Sequence, residues 1–450
     1  MYVKNYSSLT KTGYVYGRKI LLDLLNQGLE NVDPYVITKK NITLKNNLLT
    51  IFGKTFDLTN FNNIYIIGAG KATINIAKAL DEILDNRIKD GIIIVKYEQL
   101  TRLNNIKVFE AAHPIPDQSG FDSTVKIVNL LKKTRNDDLL ICVFTGGCSS
   151  LMSYSYEHIG LNDKQRITEI LLNSGADIFE LNTIRKHISM VKGGKLLSFF
   201  NGDVIVNLTV SDIIGNDLSY CTGPTVLDKS TFDNVVSILN KYDLLSKIPV
   251  SIKKHLNNRL LEHETVKSTN VNINSFLLLD NKQLCENINL ICKSNGLNSL
   301  ILSSEIDGET KDLTKPLYGI IKNIIEYDEP VKKPCVIISG GESTVTIDKK
   351  HGLGGPNQEF AVSFAININK NDKLALLSIG SDGTDGPTNI AGGLVDQFTI
   401  DKALKRKLNI NQELINHNSS NILSVLKDEV ITGHTNNNVI MTSPGILRIV

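Results

Sequence analysis

The sequence predicts an α/β fold with two α/β/α sandwich domains, the N-terminal one Rossmann-like with a mainly parallel sheet. Two observations predict it. Apolar runs of strand length alternate with stretches of helical periodicity, and several of these runs end in paired glycines. A repeated order of strand, tight turn and helix is typical of parallel sheets covered by helices. At 450 residues the chain has room for two or three domains.

The N-terminal domain contains most of these strand-turn-helix units. The segment from Asn63 to Leu84 predicts a strand that ends at Ile67, a glycine turn and a helix. A long helical region is expected from about Asp163 to Phe200. The remaining expected strands of this half are GIIIVKY, KVFEAAHP, DLLICVFTGG and NGDVIVNLTVSD.

The second half continues with strands in VNINSFLLLDN, LNSLILSSEI, VKKPCVIISGG and KLALLSIG, and with helices near Lys282–Ser294 and in QEFAVSFAINI. The polar stretch from Leu227 to Val271 carries few motifs. We therefore expect a boundary there, with domains over residues 1–250 and 251–450.

Charge and composition exclude several classes of partner. The formal net charge is +2, which provides no overall field for nucleic acid or an anionic membrane. No apolar run is long enough to span a bilayer, and the N-terminus has no apolar signal core. The six cysteines form no C-x-x-C pair, so we expect free thiols in a cytoplasmic protein rather than a zinc site.

The run IIGAGKAT contains the first candidate site. Gly68 and Gly70 allow a tight turn into a helix, whose N-terminal amides favour an anion. Lys71 opposes the helix dipole unless an anion such as a phosphate lies beside it. The spacing is not Walker A, and Thr73 stands at the third glycine of the dinucleotide fingerprint. A glycine turn followed by a solvated lysine is an equally good interpretation of this segment alone.

A second buried strand ends in Gly146 and Gly147, followed by Cys148 and Ser149. Small residues let backbone amides approach a phosphate or a carboxylate. Cys148 could be a nucleophile, but no neighbouring histidine suggests one, and a small packing thiol is the simpler interpretation.

The run LNTIRKHISMVKGGKL is basic and contains no acid. Arg185, Ser189 and Lys192 follow the spacing i, i+4, i+7 and would share one face of a helix. The planar fork of Arg185 suits a carboxylate. A solvated basic helix is the alternative, although the lack of a pairing acid favours an external anion.

Acidic residues follow other strands. Asp212 comes directly after an apolar run, where sites of α/β proteins usually lie. Asp382 and Asp385 stand three apart in a glycine loop, and carboxylates beside a phosphate would imply Mg²⁺. Both could instead bond the local backbone.

Two glycine-rich segments complete the set. IISGGESTVT contains Gly340 and Glu342 after a strand, and GLGGPNQEF leads into a helix through Asn357 and Glu359. These residues could face a ligand. The second segment is equally typical of a helix N-cap.

Taken in order, these segments resemble the glycerate 2-kinase family, which carries a C-terminal MOFRL domain. The matching segments are GAGKA, HPIPDQSG, TGGCSSL, LNTIRKHISMVKGGKL, SDIIGND, SGGESTVT, GGPNQEFA and GSDGTDGPTNIAGG. The resemblance implies ATP-dependent phosphorylation of D-glycerate to 2-phosphoglycerate with Mg²⁺. It also implies a mixed sheet in the C-terminal domain, with the MOFRL region at about residues 331–442.

The catalytic lysine of the family falls on Lys71. On this basis we expect Arg185 and Lys192 to hold the glycerate carboxylate, and Asp212 to orient the attacking hydroxyl. Asp382 or Asp385 would hold Mg²⁺, directly or through water. Glycerate and ATP are the expected partners of a monomer or homodimer.

Three departures from the family pattern stand out. Pro356 replaces the arginine of GGRNQE, Asn389 replaces an acid, and TGHTNNNVIM near the C-terminus replaces TGPTGTNVND. They leave open a catalytically impaired, ligand-binding relative. A hydroxypyruvate reductase with NAD(P) at Gly68–Lys71 is a further alternative.

Overall fold

The computed structural model describes residues 1–172, 174–211, 223–260, 263–347, 351–435 and 446–449. The chain folds into two compact units. One comprises Pro34–Leu278, and the other combines Met1–Asp33 with Leu279–Val450. We call them the central unit and the terminal unit.

The terminal unit begins with helices α1 (Tyr6–Leu9) and α2 (Val15–Asn31). Helix α2 lies within residues 1–250, the range expected for the first domain. In the structure it packs on elements of the C-terminal half, because the apolar face around Gly28 fits against Ile288. A Cβ atom at Gly28 would lie 2.8 Å from the Ile288 side chain. The compact units therefore divide differently from the expected boundary at residue 250.

The central unit contains the expected strand-turn-helix order. Its helices are α3 (Pro34–Asn41), α4 (Thr73–Leu84), α5 (Gln118–Leu131), α6 (Cys148–Leu151), α7 (Leu161–Leu172), α8 (Ile178–His187), α9 (Phe232–Lys241) and α10 (Val250–Asn258). Its strands are β1 (Ile42–Lys45), β2 (Leu48–Ile51), β3 (Lys54–Asp57), β4 (Ile64–Ala69), β5 (Ile88–Lys96), β6 (Lys107–Ala111), β7 (Leu139–Phe144), β8 (Val204–Val210) and β9 (Asn272–Leu279).

The main sheet of the central unit has the strand order β6-β5-β4-β7-β8-β9, and β4 to β8 pair in parallel. Strands β1 to β3 form a separate antiparallel sheet. The chain leaves β4 toward β5 and β6, then returns to the other side of β4 as β7. This change of direction makes the carboxyl ends of β4 and β7 the switch point, where ligands bind in open α/β sheets. The predicted Rossmann-like sheet is confirmed.

The rest of the terminal unit holds α11 (Asn281–Ser294), α12 (Thr310–Tyr327), α13 (Pro356–Ala365), α14 (Thr399–Lys405), α15 (Ile410–Ile415) and α16 (Ser419–Leu426). Its strands are β10 (Asn298–Glu309), β11 (Cys335–Thr344), β12 (Leu374–Ile379), β13 (Gly392–Asp396), β14 (Glu429–Val430) and β15 (Ile446–Ile449). The sheet order is β10-β11-β15-β12-β13-β14. Only the β10–β11 pair of these described strands is parallel, so the expected mixed sheet is confirmed.

The helical region expected from Asp163 to Phe200 is divided in the structure. Helix α8 ends at His187, and a turn through Gly193 and Gly194 precedes a 3₁₀ segment at Lys195–Phe199. Both glycines have positive φ, a conformation that favours glycine, and Gly194 directly precedes the 3₁₀ segment. Among the described residues, no helix combines the length and the apolar character needed to cross a bilayer.

Candidate active site

The loop after β4 is fixed against the loop after β7. The Lys71 amide donates to the Gly146 carbonyl over 2.9 Å, and the Ala72 amide donates to Thr145 Oγ1 over 3.1 Å. Gly70 has a φ of +142°, and a Cβ atom there would lie 2.0 Å from Thr145 Oγ1. Only glycine fits this close approach. The two glycine turns predicted from sequence therefore form one interlocked loop pair.

Gly147 lies under the Lys71 side chain. A Cβ atom at Gly147 would lie 3.2 Å from Lys71 Cγ and 3.0 Å from His113 Cδ2, so both side chains pack directly over this glycine. Its φ of +86° also favours glycine. Among the described residues, the Gly146 and Gly147 amides have no hydrogen-bond acceptor. The switch point thus brings a lysine, a histidine and two available amides together.

A small basic pocket is lined in part by residues that directly follow His113 and Gly147 in the chain. Arg185, Lys192 and Ser149, three residues predicted from sequence, share its wall. The full lining is Pro114, Pro116, Ser149, Ser150, Lys164, Thr168, Arg185, Ile188 and Lys192. None of these side chains is acidic. The pocket is therefore suited to an anionic group.

Burial shapes the charges of this pocket. It lowers the pKa of Lys192 to about 8, with the nearby Arg185 adding to the effect and Cys148 opposing it. Burial also lowers the pKa of Arg185. Lys192 Nζ donates to the Met152 carbonyl over 3.0 Å. A bound anion would favour the charged form of each group.

The neighbouring Lys186 shows the contrast on the same helix. Its Nζ lies 2.5 Å from Asp228 Oδ1, and both side chains are buried. Arg185 has no ion pair with any described residue. Lys186 is thus neutralised within the protein, whereas the adjacent Arg185 lines the pocket.

The predicted helix face of Arg185, Ser189 and Lys192 is only partly present. Ser189 lies beyond α8, is fully buried, and donates from its hydroxyl to the Tyr154 carbonyl over 3.2 Å. Arg185 and Lys192 nevertheless line the same pocket, although α8 ends at His187 and the chain between them is not helical.

Asp385 is bound inside the terminal unit. Its Oδ1 accepts from the backbone and side-chain amides of Asn357, and its Oδ2 accepts from those of Gln358. These residues form the first turn of α13, so the carboxylate caps that helix. Burial raises the pKa of Asp385 to about 6, against the opposing effect of these hydrogen bonds. Four protein donors on a buried carboxylate do not fit a direct ligand of Mg²⁺.

Asp382 is more accessible, and its Oδ1 accepts from the Thr384 amide and hydroxyl. Among the described residues, no group of three or more acidic, histidine or cysteine side chains could hold a metal ion. The described part of the glycine-acid loop thus provides one candidate carboxylate for Mg²⁺ rather than a pair.

The other predicted residues of the terminal unit have structural contacts. Asn357 is buried and accepts from Ser378 Oγ over 3.0 Å. Glu359 pairs with His417 at 3.0 Å, while burial raises its pKa. Gly340 and Glu342 lie within β11, not after it as expected, because pairing with β10 continues to Thr344.

Asp212 lies outside the described residues, two positions beyond the end of β8 at Val210. The altered C-terminal motif falls largely outside them as well. Both stay predictions.

Comparison with known proteins decides the family. The chain matches a profile described as a domain of unknown function, DUF4147, over residues 20–257, and the MOFRL family over residues 335–441. It is 37% identical to a glycerate 2-kinase of Pyrococcus horikoshii over 94% of this chain and 95% of that protein. It is 32% identical to a D-glycerate 2-kinase of Thermotoga maritima over 94% and 96% of the two chains.

This chain belongs to the glycerate 2-kinase family. Solved structures agree with the sequence match. The glycerate kinase of Thermotoga maritima superposes with a TM-score of 0.81 at 31% identity, covering 96% of this chain and 99% of that one. A Pyrococcus horikoshii protein superposes with a TM-score of 0.77 at 36% identity, over 96% and 97%. The expected resemblance and enzyme class are confirmed.

Sequence reasoning missed two residues of this glycerate 2-kinase family member. His113 was part of a matched motif but received no role, although it packs beside Lys71 over Gly147. Lys164 falls within the expected helical region from Asp163 to Phe200 but was not predicted as a site residue. It shares the buried face of α7 with Ile167 and Leu171, and a lysine at such a position is the signal that could have revealed it.

Proposed function

We propose that this protein is an ATP-dependent kinase that phosphorylates D-glycerate on its 2-hydroxyl to give 2-phosphoglycerate. The observation that carries the proposal is the adjacency of Lys71, seated over Gly147, and an acid-free pocket lined by Arg185 and Lys192. A substrate with a carboxylate at one end and a reacting hydroxyl nearby matches this arrangement.

In the proposed reaction the glycerate carboxylate enters the pocket and accepts hydrogen bonds from Arg185 and Lys192. The Lys71 ammonium neutralises the oxygens of the phosphoryl group in transit, and the Gly146 and Gly147 amides donate to the same anion. Phosphoryl transfer depends mainly on such positioning and charge neutralisation. The bond from the 2-oxygen to phosphorus forms as the bond to ADP breaks. Asp212 is the proposed acceptor of the hydroxyl proton.

Mg²⁺ is proposed as the companion of ATP, with Asp382 as the candidate residue of this chain. Asp385 does not fit that role because both of its oxygens are bonded to α13. We therefore assign Asp385 to the structure of the terminal unit and derive no step from the metal.

We further propose that the enzyme works in the cytoplasm on glycerate and ATP. The free, buried thiols of Cys142, Cys285, Cys292 and Cys335 support a reducing compartment.

The proposal is tested by measuring ADP release with D-glycerate and ATP, and by locating the product phosphate with ³¹P NMR. We expect turnover and a phosphate on carbon 2. A phosphate on carbon 3 would contradict the assigned hydroxyl, and no ADP release at any glycerate concentration would contradict the activity.

Lys71→Ala tests the proposed role of this lysine. Loss of a charge donor to the transferred group should lower kcat by about 10²–10³-fold while the melting temperature stays unchanged. Lys78→Ala is the matched control, because Lys78 is an exposed lysine of α4, the helix that follows Lys71, and lies over the Tyr35 ring. Near-normal turnover of Lys71→Ala would remove the lysine from the mechanism.

A reductase is the second candidate, since two Agrobacterium vitis relatives at 32% and 29% identity carry the provisional name hydroxypyruvate reductase. The site favours it less. In dinucleotide sites the helix N-terminus binds the pyrophosphate, whereas the Ala72 amide here donates to Thr145 Oγ1. NADH or NADPH oxidation with hydroxypyruvate would support the reductase.

Pro356 keeps the impaired relative as a third candidate. It occupies the first turn of α13, a position that proline fits well. An inactive protein that gains ADP release on Pro356→Arg would identify such a relative.

A further inference from the structure

Lys164 is a buried cation that the proposed reaction does not yet use. It lies on α7 with only 5% of its surface exposed, and its Nζ donates to Ser153 Oγ over 3.0 Å. An ammonium has three N–H donors, and among the described residues the Lys164 ammonium has this one bond, to a neutral hydroxyl. Burial of a charged group without an acidic partner is costly, so the position requires a reason.

The charged groups that face Lys164 are cations. Burial pushes its pKa well below the ordinary value, and Lys192 and Arg185 push it further in the same direction. The Cys148 thiol lies near Lys192 on the same side. No described acid lines the pocket between them. Three basic side chains thus converge on one opening from α7, α8 and the turn after α8.

The backbone and side chains after α6 hold the two lysines side by side. Lys192 Nζ donates to the Met152 carbonyl and Lys164 Nζ to the hydroxyl of the next residue, Ser153, each over 3.0 Å. Consecutive anchors of this kind orient both ammonium groups toward the same opening. Each keeps further N–H donors for a ligand.

The size of the opening limits what it can hold. Its cavity volume of about 20 Å³ is room for one or two water molecules, which matches a carboxylate group and not a triphosphate. Pro114 and Pro116 close one side with apolar surface. The ligand group is therefore small, anionic and attached to a short carbon chain.

We propose that Lys164 is a third substrate-binding cation, which donates to the carboxylate of the acceptor acid together with Arg185 and Lys192. The inference rests on the proposed function and names a residue of that same site. Arg185 supplies the planar fork, and the two lysines supply point charges from the opposite side. Because the anion favours the charged form of Lys164, its binding raises the pKa of this lysine.

The experiment measures D-glycerate binding by isothermal titration calorimetry to the wild-type protein, K164M, K164R and K164Q. Loss of a hydrogen bond to a charged group should weaken binding by about 10–100-fold in K164M and K164Q. K164R should recover part of this loss. Arg166→Met is the matched control, because Arg166 is an exposed cation of the same helix that pairs only with Glu169 among the described residues, and its binding should equal the wild type.

Titration in buffers of different ionisation enthalpy gives the number of protons taken up per glycerate bound. We expect the wild type to take up more protons per glycerate bound than K164M does, a difference that a merely structural lysine would not produce. ATP binding should not change in any variant. A K164M protein that melts like the wild type and loses ATP affinity but not glycerate affinity overturns the assignment to the carboxylate.

Different results would overturn the role of Lys164 and the proposed function. Wild-type protein that turns over glycerate while K164M and K164Q bind it equally well overturns the role of Lys164 alone. Wild-type protein that binds no glycerate overturns the proposed function, and the role of Lys164 with it.

Discussion

The two units of the protein differ in whether the buried cations compared here have acidic partners. In the terminal unit, Arg18 is fully buried and ion-paired with Asp396 and Asp428, and Asp428 also pairs with Lys402 at 2.8 Å. Two cations therefore meet two carboxylates. In the central unit, Lys164, Arg185 and Lys192 meet at a pocket whose lining contains no acid.

This difference separates structure from function. A buried cation with its acids present stabilises the fold through contacts that remain when no ligand is bound. A buried cation without an acid costs folding free energy and keeps its donors for something outside the chain. The contrast is repeated within α8, where Lys186 is paired with Asp228 and Arg185 is not.

The largest expected effect concerns the buried ion pairs of Arg18 with Asp396 and Asp428. Arg18→Met leaves two buried carboxylates with reduced compensation and should lower the free energy of unfolding by about 3–5 kcal/mol. Lys192→Met removes a cation that has no acid and should leave the stability unchanged or higher. Denaturant melts of both variants check the opposite signs, and equal losses would erase the proposed distinction.

The second prediction makes the same contrast between neighbours on one helix. Arg185→Ala should raise KM for glycerate by about 10–100-fold with little change in melting temperature, since Arg185 supports the ligand and not the fold. Lys186→Met should do the reverse, because it leaves Asp228 buried without its cation. Steady-state kinetics and thermal melts on both variants separate the two roles. An unchanged KM in Arg185→Ala would remove its assigned role.

The third prediction concerns Asp382 and Asp385, the two acids of which either was expected to hold Mg²⁺. Asp385→Ala leaves the buried amides of Asn357 and Gln358 without acceptors, so the free energy of unfolding should fall by about 2–3 kcal/mol. Asp382→Ala has fewer buried partners to lose and should melt close to the wild type. Equal melting temperatures for the two variants would refute the helix-capping role of Asp385.

Much of the fold could be predicted from local pattern. Strands β4 and β7 are continuous apolar runs in which every residue is buried, and such runs fit a sheet covered on both faces. The membership of α2 in the terminal unit could not be predicted in this way. Its apolar face is complementary to α11, which lies some 250 residues later, and periodicity does not identify a partner.

The site divides along the same line. Arg185 and Lys192 were predicted to share a site, but on one continuous helix. The helix ends at His187, before Ser189 and Lys192, and the non-helical segment that follows it is visible only in three dimensions. Asp385 could bind a metal or a helix by its local sequence alone. The choice depends on where α13 begins, because its first amides point at the carboxylate.

The smallest expected effect is a pH dependence of kcat/KM that arises from the acid-free pocket of Lys164, Arg185 and Lys192. Burial lowers the pKa of Lys192 to about 8, so the free enzyme loses this charge as the pH rises through that value. Glycerate prefers the charged form, and kcat/KM should therefore fall by up to about tenfold per pH unit as the pH rises above 8. Lys192→Arg keeps its charge in this range and should move the fall to higher pH. If both proteins lose activity at the same pH, another group is titrating. If the loss moves to higher pH in Lys192→Arg, the charge of residue 192, which has no acidic partner in the pocket, is the one that binds the substrate.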